Sequence, residues 1–124
     1  MRAFILALLL LPVVATAQYE SNPNQQTVWL VLKDTAPVHE MLKACDRDLV
    51  AGMLWEYIQQ KLAPVVGTEE NWQIVNRMWT QARREARFRD QQLLVEIIQD
   101  TRGEAEQICN MTERQTVQII GAGV

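Results

Sequence analysis

Histidine occurs once and cysteine twice in a chain of 124 residues. That is too few for a zinc site, and the scattered carboxylates match no calcium loop. Cys45 and Cys109 lie far apart, so a Cys-x-x-Cys redox motif is excluded. No glycine-rich run exists to cradle a phosphate. Asp46 and Asp48 are two residues apart and point in different directions on a helix, so they make no carboxylate pair for glycoside chemistry. No catalytic residue, metal or cofactor is therefore expected. The chain is short for a dinucleotide-binding fold or an eight-stranded barrel. Twelve basic against fifteen acidic residues give a net charge of −3, which argues against general nucleic-acid binding. Internal repeats and low-complexity stretches are missing.

Long apolar runs are missing too, except at the start. Residues 1–17, MRAFILALLLLPVVATA, have one Arg, an apolar stretch and a small-residue end at Ala15-Thr16-Ala17. That is the layout of a secretory signal peptide, and it is short for a membrane span. Its removal leaves 107 residues with a net charge of −4 and no expected membrane span. A periplasmic or secreted location is the resulting expectation. In such a compartment the two cysteines are expected to pair, and Cys45–Cys109 is the one intrachain bond available.

The periodicity predicts an all-α fold, a small bundle of three or four helices stapled by that disulfide. Residues 18–26 read as a flexible polar leader, 27–120 as the helical domain and 121–124 as a disordered tail. Thr27 to Lys33 is short and apolar; a short helix is the preferred reading, with a strand left open. Pro37 suits a first helical turn. From there Val38, Met41, Leu42, Cys45, Leu49, Met53, Tyr57, Ile58 and Leu62 predict one long helix over 37–62, with Glu40 on its polar side. Pro64 and Gly67 end it. Thr68 caps the next helix, with Glu69 and Glu70 in its first turn. Its inner face carries Trp72, Val75, Met78, Trp79, Ala82 and Ala86, resumed by Leu93, Leu94, Ile97 and Ile98. Asp90 is a candidate cap, and 100–103 a second break. A last helix, 104–120, turns Ala105, Ile108, Met111, Thr112 and Ile119 inward.

Four tryptophans exceed what a chain this size needs. Trp72 and Trp79, seven apart, belong to the core, whereas Trp55, beside its helix's main face, and Trp29, in the short apolar segment read as helix or strand, are candidate contact residues. Arg77, Arg83, Arg84, Arg87 and Arg89 crowd one stretch of an acidic protein. A solvated, ion-paired helix face explains them, with Glu85 four residues before Arg89. Arg77, Arg83, Arg84 and Arg87 are also candidates to meet an anionic envelope component or an acidic partner. The lone His39 reads as a solvated or capping residue.

Several segments resemble the LprI-type, lysozyme-inhibitor-like family of small exported helical proteins. His39 to Cys45 is similar to its first helical element, which ends on a cysteine. Met53-Leu54-Trp55-Glu56-Tyr57 is similar to the second, with Leu54 in place of Asn. Asn76 to Arg83 resembles the third, with Asn76 for Gln and Arg84 where Asp follows. Met111 to Thr116 resembles the last, with Gln115 for Arg. The resemblance implies a helical envelope protein, in some members a lysozyme inhibitor, with no defined catalytic site. A Cys45–Cys109 pairing would depart from the family's usual bridges.

The leading expectation is an exported helical binding protein that contacts another protein, as an inhibitor, immunity protein or chaperone does. The alternatives are an envelope ligand-binding or structural module using the arginine-rich face, and a small hydrolase with an unrecognised site.

Overall fold

A computed structural model describes residues 23–100 and 103–122. The proposed signal peptide, most of the leader and the last two residues lie outside the described residues. Among them the chain forms five helices and no strand, one or two more than expected: α1 Pro23–Ala44, α2 Asp48–Val66, α3 Glu69–Arg89, α4 Gln91–Gln99 and α5 Glu104–Ala122. No described helix is long and apolar enough to cross a membrane.

The first helix differs most from expectation. It opens at Pro23, inside the segment read as flexible, and runs through Thr27–Lys33 and past Pro37 without a break. An interior proline removes one hydrogen bond and costs roughly 3 kcal/mol. Packing outweighs that, because Val28, Leu32 and Ala36 hold a four-residue spacing up to Pro37 and seat on α3. Their partners there are Val75, Met78, Trp79, Ala82 and Ala86, joined by Leu62 and Val66 of α2.

The expected helix over 37–62 is in fact two. Arg47 N–H donates to Leu42 O (2.8 Å) and Asp46 N–H to Lys43 O (3.0 Å), the paired bonds of a Schellman ending. Asp46 takes the left-handed conformation (φ 61°) that glycine usually supplies there. The break shifts the phase of the residues beyond it. Leu49 and Met53, read as inner, are exposed, while Val50, Ala51 and Leu54 are buried against Leu42.

Pro64 does not end α2, which runs on to Val66. Gly67 ends it at φ 79°, its N–H donating to Ala63 O. Thr68 then caps α3 as read from sequence: its hydroxyl accepts from Asn71 N–H (3.2 Å). Asp90 separates α3 from α4, but its side chain makes no cap bond. Asp100 does, accepting from Ala105 N–H (2.6 Å) at the start of α5.

The Cys45–Cys109 disulfide is formed, joining the end of α1 to α5 across 64 residues. Ile97 is buried with it, and Met41, Ala44 and Ala105 pack around the three.

Candidate functional site

The bond to Cys45 sets which way α5 faces. Cys109 and Thr116 are buried, and Ala105, Thr112, Glu113 and Ile120 are half-buried. Arg47, just past the Schellman turn, reinforces this orientation. Its guanidinium donates to Glu106 Oε1 (2.6 Å), Glu113 Oε1 (3.0 Å) and Asn110 Oδ1 (3.1 Å) of α5. Its Nη1 also donates to Cys45 O (2.9 Å), so the clamp and the disulfide hold the same turn. The carboxylate bonds, Glu106 foremost, hold the guanidinium proton more firmly than usual.

This orientation corrects the expected inner face of the last two helices. Ile108, Met111 and Ile119 are exposed, Ile119 at 57%. On α4 only Ile97 is buried; Leu93 is exposed and Ile98 is 66% exposed. Open clefts flank α5: one at the disulfide, lined by Cys45, Ile98, Gly103 and Cys109 among others, and two along its apolar residues. One, of about 410 Å³, lies against α4 and is lined by Leu93, Ile97, Ala105 and Ile108, with Glu96 and Glu104 among its polar members. The other, of about 240 Å³, lies against α1, where Pro37, Val38 and Met41 face Thr112, Thr116 and Ile119.

A polar cluster sits inside the bundle. His39 and Glu40, expected on the solvated side, are 7% and 5% exposed. His39 Nδ1–H donates to Glu40 Oε2 (2.7 Å), and Arg87 Nη1 donates to Glu40 Oε1 (2.6 Å). Both carboxylate oxygens thus have partners, which burial demands. Burial holds His39 below its ordinary value of 6.5, against the pull of the adjacent carboxylate. For Glu40 burial pushes the other way, but the bonds from His39 and Arg87 prevail and keep it below 4.5. The cluster is therefore a neutral imidazole, a carboxylate and a guanidinium bracing α1 to α3. The imidazole also meets Trp79 of α3, so His39 links the two helices.

Two of the tryptophans adjoin this cluster. Trp79 meets the His39 ring edge-on (5.0 Å) and stacks on Trp55 at 4.5 Å with the rings 2° from parallel. Arg83 lies over the Trp79 ring at 5.5 Å. Trp55 and Trp29, read as contact residues, are half-buried against the main core; Trp72, read as core, is half-buried too. Of the arginine run, Arg87 pairs with Glu40 and Arg83 covers Trp79. Arg77 and Arg84 stay on the outer face. Glu85 bonds Gln81, and Arg89 reaches Asp90, so the Glu85–Arg89 pair expected from spacing does not form.

Sequence reasoning missed His39, Glu40 and Arg47 as structural centres. Among the described residues no three His, Cys, Asp or Glu side chains gather as metal ligands do. Comparison with family models, curated proteins and solved structures finds no match for this chain.

Proposed function

We propose that this chain is an exported helical protein that works by contact with another protein, in the manner of a lysozyme inhibitor, an immunity protein or a chaperone. One observation carries the reading. Leu93, Ile98, Ile108, Met111 and Ile119 are exposed along α4 and α5; Leu93 and Ile108 line one open cleft and Ile119 another. Apolar side chains gathered at a polar-rimmed surface mark interaction sites in small proteins. The disulfide and the character of residues 1–17 support export. The net charge of −4 left after loss of residues 1–17 favours a cationic partner, for which lysozyme is the first to test.

The experiment is inhibition of lysozyme by the oxidised protein, run beside its capture of partners from an envelope extract. Inhibition supports the narrower reading, and a partner held at micromolar concentration supports the broader one. Absence of any partner at that concentration refutes both. Intact mass tests export independently. Loss of residues 1–17, with a mass two units below the reduced chain, is the expected result; a retained leader with free thiols contradicts it.

A further inference from the structure

A second surface lies on α3, away from the clefts. Arg77, Gln81, Arg84 and Phe88 are spaced i, i+4, i+7 and i+11, so they fall on one stripe opposite the buried Val75, Met78, Trp79, Ala82 and Ala86. The stripe from Arg77 to Phe88 spans about 16 Å at the helical rise. Phe88, at its end, is 82% exposed, the most exposed large apolar side chain among the described residues. Arg87, half-exposed, stands beside it even while it pairs with Glu40. Among the described residues no carboxylate lies within ion-pair distance of Arg77 or Arg84.

Charge and shape both bear on what this face meets. Residues 77–89 hold five arginines against one acid, Glu85, whose carboxylate is engaged by Gln81. The rest of the chain carries an excess of acid, so the molecule is polarised and an anionic surface would orient it with α3 inward. The face is a convex ridge, and none of the clefts beside α5 is lined by Arg77, Arg84 or Phe88. A ridge of cations ending in a lone phenyl ring suits a plane: the arginines reach headgroups and the ring enters the acyl boundary. We propose that the outward face of α3, carrying Arg77, Arg84 and Phe88, docks on anionic lipid headgroups at a membrane surface. The clefts beside α5 lie on other elements and remain open to a protein.

The test is co-sedimentation of the oxidised full chain with vesicles of phosphatidylcholine, alone or mixed with phosphatidylglycerol. Any affinity due to residues 1–17 is common to all variants. The wild type is expected to bind the anionic vesicles preferentially and to lose affinity as salt rises. Each arginine near a charged leaflet is worth about fivefold in partitioning, so R77Q/R84Q should bind on the order of twentyfold more weakly. F88S should bind severalfold more weakly. K33Q/R114Q removes the same charge elsewhere and should change binding less than about threefold. Far-UV circular dichroism confirms that each variant is folded. Equal binding to neutral and anionic vesicles overturns the proposal, as does wild-type binding by R77Q/R84Q or an equal loss in the control. Retention on immobilised polyglutamate without vesicle binding also overturns it, by making the face an acidic-protein site.

Discussion

Replacing both cysteines, C45A/C109A, removes the bond between the end of α1 and α5. The native bond closes a loop of 64 residues, and chain entropy puts its contribution at about 4 kcal/mol. Small domains have roughly 5–15 kcal/mol in total, so the variant stands near the edge of folding. The loss should be uneven. The main core of α1, α2 and α3 does not include the disulfide, whereas Ile97 of α4 is buried mainly beside it. Urea unfolding followed by tryptophan fluorescence reads the total. With an m-value of about 1–1.5 kcal/mol per molar, the midpoint should fall by about 3 M. Hydrogen exchange reads the distribution, and amides of α4 and α5 should lose protection before those of α3. A stability loss under about 1 kcal/mol would mean that the bond does not hold the fold together, and so would protection lost evenly along the chain.

The remaining predictions concern single residues. Asp46→Gly removes a side chain from a left-handed position and should stabilise the protein by about 0.5–1 kcal/mol; a loss of stability in urea would mean that the Asp side chain holds the turn. Trp79→Ala opens the core beside His39 and Trp55 and should cost about 3–5 kcal/mol, with loss of the near-ultraviolet dichroism of the stacked pair; a loss under about 1.5 kcal/mol contradicts the packing. Stability should fall as pH drops below 6.5, because the unfolded chain then protonates His39 while the native fold resists it. A second loss sets in as pH passes 4.5 and below, where the unfolded chain protonates Glu40 before the native fold does. In a series of urea midpoints against pH, His39→Gln should abolish the upper part of the decline; an unchanged profile sinks the assignment.

What sequence made legible was local chemistry and strong periodicity. Thr68 caps α3 because a hydroxyl at that place needs only the next turn, and Trp79 is buried because Val75, four residues before it, and Ala82, three after it, continue its apolar face. The cysteine pairing followed from there being two. Pro37 misled, since a proline that suits a first turn also survives inside a helix that tertiary packing holds together. The Schellman turn lacked its usual glycine, so Asp46 passed for a helical residue and the apolar phase beyond it was misread. Glu40 looked solvated because its partner, Arg87, lies 47 residues further on. The facing of α5 depended on Cys45 and Arg47 from another part of the chain, and no periodicity within 104–120 could state it. That same rotation brought Ile108, Met111 and Ile119 to the surface, so the candidate site was the part least visible in the sequence.

The exposed apolar flank of α5 is the surface proposed to bind a protein partner. The most direct test is capture from an envelope extract with wild type and I108E/I119E side by side, with R77Q/R84Q as a surface control. Both altered isoleucines are already partly in solvent, so the fold should persist. A partner should be retained by wild type and by the arginine variant, and lost from I108E/I119E. A partner held equally by all three would contradict it.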